Sequence, residues 1–191
     1  MTRSSIALAV VVAAVAVAVS MAVTRAAGQA DPTFDKDGRL MLPKDRDRWI
    51  TVGTTYALSY EGDGGTSFNT VRMDPKSYDG YVKTGKYPVG TMFDLEVRQP
   101  MTEVAPAKGG QVQGRVINRS LHVKDEKAGP GTWTFYSYNE ESTSARPITR
   151  SQDCYTCHKE HATDDTVFSQ FYPTMIEARD RAHASTSSKG R

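Results

Sequence analysis

Cysteine is scarce. The 191 residues contain two, Cys154 and Cys157, close to the C-terminal end. Two thiols cannot build a disulfide framework, and a single bridge between this pair would close so short a loop that it would constrain the unfolded chain little. An excess of charge of one sign is missing too. The net charge is +2, and Arg3 and Arg25 account for it, because the first 30 residues hold no acid. From Asp31 onward the chain has 22 basic and 22 acidic residues. A neutral body lacks the basic surface that holds nucleic-acid phosphates, so no nucleic-acid partner is expected. Long apolar runs are confined to the beginning of the chain. No later segment is apolar enough to cross a membrane, and no repeat at solenoid spacing is present.

Residues 1–30 read as an export signal. Arg3 supplies a positive start, residues 6–19 are an unbroken apolar run, and Gly28-Gln29-Ala30 has the small-x-small form of a cleavage site. Ala22 and Ala26 offer earlier sites. The competing reading is an uncleaved anchor, since residues 6–23 approach the span of a membrane helix if Ser20 is tolerated. Both readings put residues 31–191, a single domain, in the periplasm or an equivalent exported location. Membrane contact follows only if the leader is retained. Spare thiols in an oxidising compartment normally pair. Because that bridge would contribute little to stability, these two thiols call for another explanation.

The domain reads as mainly β, class α+β, an antiparallel sheet followed by helices. Residues 31–39 are polar and read as a flexible lead-in. Residues 49–60 ("WITVGTTYALSY") and 68–73 ("FNTVRM") are rich in β-branched and aromatic residues and predict strands. Asp74-Pro75 predicts a helix start and Gly85 its cap, with Tyr78, Tyr81 and Val82 on one face. In "TMFDLEVR", residues 91–98, Phe93, Leu95 and Val97 alternate with Asp94, Glu96 and Arg98. On that parity Glu96 is expected in solvent. Residues 116–123 and 133–138 predict further strands. A helix capped by Ser151 or Asp153 is expected through the cysteines. A second is expected from Asp165, interrupted by Pro173, with a frayed end over the last dozen residues.

Cys154-Tyr155-Thr156-Cys157-His158 has the form C-x-x-C-H, which reads as attachment of a c-type haem. Two thiols on one helical turn can add to the two vinyl groups on one porphyrin edge. The next residue then presents an imidazole to the iron, so Cys154 and Cys157 would carry the haem and His158 would bind the metal. Two other readings compete. Cys154, Cys157, His158 and His161 can be counted as zinc ligands, but zinc sites commonly draw their second pair from a distant segment. A thioredoxin-like dithiol needs a βαβ context that this pattern lacks. The sixth iron position separates functions. Met41, Met73, Met92, Met101, Met175 and His122 are candidates for it, and none stands in a context that demands the role. A motif placed behind a set of strands, near the end of the chain, points to an open site instead.

Residues 42–173 resemble the cytochrome P-460 family, which includes the beta-type cytochromes c-prime. "CYTCHKEHATDDTVFSQFYP" carries the resemblance best, and "LPKDRDRWITVGT", "VRMDPKSYDGYVKTGKYPVGT" and "GPGTWTFYSY" carry the earlier blocks. The resemblance implies a mainly antiparallel β fold, a homodimer, and one haem c bound through His158 with its opposite face open. Some members oxidise hydroxylamine with a haem cross-linked to a lysine. Others lack the cross-link and bind nitric oxide or carbon monoxide. The cross-link position falls on Leu95, and Lys83 and Lys86 read as solvated surface. Asn69 takes the place of a distal arginine. In "LPKDRDRW", Arg46 and Asp47 depart from the family pattern. Phe68 or Asn69, Phe93 and Leu95 are therefore expected on the distal face, with Phe93 and Leu95 also explicable as sheet core.

The sequence thus supports an exported haem protein that captures nitric oxide or a related small nitrogen ligand. Hydroxylamine oxidation is the enzymatic alternative, and electron transfer is a third. The redox partner is not identified by any of these residues.

Overall fold

The computed structural model describes residues 31–60, 62, 65–125, 133–150 and 153–189. The leader at 1–30 and the cap at Ser151 lie outside these residues. In chain order the elements are β1 (Leu40–Met41), β2 (Ile50–Tyr56), β3 (Phe68–Met73), α1 (Pro75–Thr84) and β4 (Met92–Met101). They continue with β5 (Val112–Lys124), β6 (Trp133–Tyr138), β7 (Ser144–Ala145), α2 (Asp153–His161) and α3 (Pro173–Lys189). The architecture is mainly β with helices, as expected. Five strands run antiparallel in the order β2-β3-β4-β5-β6, a meander in which each neighbour in sequence is a neighbour in space. A small antiparallel pair, β1 with β7, stands apart.

Strand alternation divides the sheet into two faces. The inner face carries Val71, Met73, Phe93 and Phe135, which join Tyr81 of α1 and Met175 and Ala178 of α3 in the main core. The outer face carries Met92, Leu121, Tyr136 and Tyr138, covered by Leu40, Trp49 and Ala145. Glu96 has the outer parity expected of it but is not solvated. It is 3% exposed, and Arg72, Arg98 and Arg119 all donate to its carboxylate.

Helix α1 follows its sequence signals closely. Asp74 accepts from the Ser77 amide at 2.9 Å, and Gly85 closes the helix at φ 69° with its amide on the Tyr81 carbonyl. The second Asp74 oxygen takes the Met92 amide at 2.9 Å, tying the helix start to β4. The C-terminal region departs from expectation. Residues 164–167 form a tight turn, Ser169–Phe171 a single 3-10 turn, and Pro173 opens α3 instead of interrupting a helix. Proline suits a first helical position because no partner is needed for its missing N–H. The helix continues to Lys189, so the tail is not frayed over that length. The lead-in is ordered as well, with Asp35 accepting the Asp37 and Arg39 amides at 2.9 Å.

Candidate functional site

Helix α2 is short and nearly without an apolar face, so its placement comes from what its side chains touch. Tyr155 stacks on Phe135 of β6 with centroids 4.4 Å apart. Its hydroxyl accepts the Phe135 amide at 3.1 Å and donates to the Ile148 carbonyl at 3.3 Å. This one side chain pins the helix to the edge of the sheet. Helical spacing then puts Cys154 and Cys157 on one side of α2, a turn apart. Both are free thiols, Cys154 exposed and Cys157 half-buried. They stand at the wall of a cavity of about 400 Å³ between α2 and the inner face of the sheet.

The sheet supplies the opposite wall in two rows. Gly53, Val71, Leu95 and Ser120 lie side by side across four strands, and Phe93, His122 and Phe135 across three. Asn69, Phe168 and Tyr172 complete much of the lining, which is predominantly apolar. The structure thus brings Asn69, Phe93, Leu95, Cys154, Cys157 and His158 to one cavity. It does not bring Phe68, which has the opposite parity on β3 and packs against Tyr56 at 4.7 Å. Lys83 and Lys86 are exposed, and no lysine lines the cavity among the described residues. Of the candidate sixth ligands, His122 lines it and no described methionine does; Met175 is core.

His158 is held from several directions. Its ring lies 4.7 Å from Phe135, 4.5 Å from Phe168 and 5.0 Å from His122. Nδ1 lies 2.8 Å from the Thr166 carbonyl. A carbonyl only accepts, so Nδ1 carries the proton and Nε2 keeps its lone pair. Burial pushes the imidazole's pKa down, against the pull of the Thr166 carbonyl, which favours the neutral ring that binds metals. The turn that offers this carbonyl is strained. Asp165 and Thr166 have φ of 50° and 59°, a region that β-branched residues rarely enter. Two side-chain contacts hold the turn: Tyr81 donates to Asp164 at 2.9 Å, and Lys124 pairs with Asp165 at 2.8 Å.

His122 is the second imidazole of the cavity. It stacks on Phe135 at 4.1 Å, and burial, with His158 beside it, pushes its pKa down to about 3. It is therefore neutral across the physiological range. His161 is exposed at the C-terminal end of α2, next to Glu160, and does not line the cavity. Among the described residues no three His, Cys, Asp or Glu side chains converge as ligands of one metal ion.

These residues fit a covalently held haem. Two free thiols one helical turn apart stand beside an imidazole whose outward nitrogen is available. The apolar cavity facing them is within the usual range of about 300–1,000 Å³ for cofactor and ligand pockets. Sequence reasoning missed Thr166, Phe168, Tyr172 and Gly53. A residue that acts through its carbonyl, as Thr166 does, leaves no trace in its side-chain chemistry. Gly53 has a signal, a glycine inside a strand, which marks close approach of another chain segment. Here a Cβ would stand 2.7 Å from the Tyr172 ring.

Comparison with known proteins agrees with this geometry. A family model described as Cytochrome P460 matches residues 43–169. A curated relative, "Dihydro-heme d1 dehydrogenase" of Pseudomonas aeruginosa, is 28% identical over 96 residues, half of this chain. That match spans 20% of the relative's own length.

Proposed function

The chain belongs to the cytochrome P460 family, and from that premise we propose that it is an exported haem c protein that binds nitric oxide or a related small nitrogen ligand. Cys154 and Cys157 would hold the haem through thioethers, and Nε2 of His158 would bind its iron. The haem supplies the metal that takes the ligand; the chain positions it and selects what reaches it. The observation that carries the reading is the wall around Leu95. At the position where a lysine would be required for a cross-link, a leucine faces the cavity beside Val71 and Phe93. An apolar wall favours a neutral diatomic molecule over water or an anion, because it offers little to replace lost hydration. Asn69, which lines the cavity, would give such a ligand one hydrogen bond.

A second reading, oxidation of hydroxylamine, would need a proton acceptor in the cavity; His122 lines it, but a pKa held at about 3 by burial makes it a weak base, which favours the first reading. The similarity to a dehydrogenase covers too little of that relative to bring its activity to this chain. Export rests on the leader sequence, and a homodimer on the family resemblance.

One experiment separates the readings. Absorption spectra of the purified protein, ferric and dithionite-reduced, are recorded before and after nitric oxide is added. An unmodified high-spin c-type spectrum that changes with nitric oxide supports capture. A strongly red-shifted reduced Soret band, with hydroxylamine turnover, supports the enzyme. A six-coordinate reduced protein that ignores nitric oxide rejects capture. Cys154→Ala and Cys157→Ala are each expected to lose one thioether bond to haem, read by mass spectrometry of haem peptides.

A further inference from the structure

From one wall of the cavity a continuous file of aromatic rings leads through the core to the carboxyl group of Asp164, in the turn whose Thr166 carbonyl meets His158. Tyr172 and Phe93 line the cavity, with ring centroids 6.4 Å apart. Phe93 lies 5.6 Å from both Trp133 and Tyr87, which are themselves 5.6 Å apart. Tyr87 stacks on Tyr81 at 4.5 Å. Tyr81, fully buried, donates its hydroxyl proton to Asp164 Oδ2 at 2.9 Å. We propose that this file is a hole-transfer relay: it carries an oxidising equivalent away from the haem cavity when a peroxide reacts there, and delivers it to Tyr81. The proposal rests on the reading of the cavity as a haem site.

The order of the rings supports this direction. Tyrosine and tryptophan are the side chains most easily oxidised by one electron, and rings in near contact exchange electrons rapidly. Phe93 is not itself easily oxidised but bridges Tyr172 to the Trp133–Tyr87 pair. A tyrosine keeps a hole only if its proton has somewhere to go. The Tyr87 hydroxyl is buried without an acceptor, whereas Tyr81 is aimed at a carboxyl group. Burial, and then the Asp164 carboxyl group, pushes the Tyr81 phenol up to about 12, so at neutral pH the proton leaves only together with the electron.

The step balances. On breaking its O–O bond, hydrogen peroxide would take up two electrons, release one water and leave its second oxygen with the haem, which would supply one of the two electrons. Tyr81 supplies the other, becoming a neutral phenoxyl with its proton on Asp164. The relay would move the radical from the rings that line the cavity to Tyr81, which is buried and does not line it.

The test uses the haem-loaded protein. Ferric protein is mixed with hydrogen peroxide, freeze-quenched, and examined by EPR, with ring-deuterated tyrosine to identify the radical. A tyrosyl signal is expected in the wild type and its loss in Tyr81→Phe, which removes one oxygen atom and leaves the stack intact. Trp133→Phe, which touches neither Asp164 nor His158, is expected to slow the appearance of the signal. The same tyrosyl signal in Tyr81→Phe as in wild type overturns the proposal, as does a wild-type haem that reacts with peroxide and leaves no tyrosyl radical. Absence of covalent haem in the starting protein, read beforehand from its alkaline pyridine spectrum, would instead overturn the haem reading.

Discussion

Thr166 shows how far one backbone atom reaches. Its carbonyl sets the tautomer of His158, yet its φ of 59° is costly for a β-branched residue. Thr166→Gly keeps the carbonyl and removes the crowded Cβ. It is expected to stabilise the fold by about 1 kcal/mol, the lower end of the usual cost of the left-handed region for an L-residue. Urea unfolding of the variant checks this, and an unchanged reduced spectrum would show that His158 keeps its place. Asp74 is the other residue whose small side chain does two tasks, capping α1 and binding the Met92 amide. Asp74→Ala is expected to cost about 2 kcal/mol, the upper end of the range for a lost cap, because a buried strand amide is orphaned as well. The midpoint of urea unfolding reads this loss, and a shift no larger than an exposed cap variant gives would contradict it.

The elements around the cavity are positioned by contacts that their own sequences do not advertise. Helix α2 has little apolar surface of its own and is held by Tyr155 against Phe135. Strand β2 accepts the segment around Tyr172 because position 53 has no side chain; the Phe171 carbonyl would lie 3.0 Å from a Cβ there. Gly53→Ala must push that segment away from the sheet. A cost of about 1–3 kcal/mol is expected, the usual range for overpacking. Tyr172 would move with the segment, so the rate of nitric oxide uptake is expected to change in the same variant; stopped-flow absorbance would show it.

At the scale of the whole molecule the sheet separates two environments. Its inner face makes the cavity and main core, while part of its outer face holds an ion network centred on Glu96. Burial pushes the Glu96 carboxyl up, but hydrogen bonds from Arg98, Arg119 and Arg72 outweigh it and bring the pKa down to about 2. A folded-state value below the unfolded one gives stability that is present above about pH 4.5 and lost as pH falls towards 2. The melting temperature is therefore expected to drop across that window. Asp94 opposes this, since burial raises its pKa. Glu96→Gln isolates the effect. It should cost about 3 kcal/mol at neutral pH, as for other buried pairs broken on one side, and flatten the acid dependence. Thermal melts of both proteins from pH 7 to 2 decide it; parallel curves would refute the role given to Glu96.

Local chemistry by itself determined much of this protein. The strand at 68–73, the cap and closing glycine of α1, the alternation through Phe93 and Leu95 and the C-x-x-C-H motif all act over a few residues. Short-range sterics and hydrogen bonding settle such features, so they can be read in one dimension. Tertiary structure decided the rest. It seated the cysteine helix through a single tyrosine, turned Phe68 away from the cavity and Asn69 into it, and buried Glu96 under three arginines. It also set His122 beside His158, though 36 positions part them in the chain. These outcomes depend on which surfaces meet across the sheet. Such meetings are decided by the sum of many packing and desolvation contributions from residues far apart in sequence, and no short stretch contains that sum.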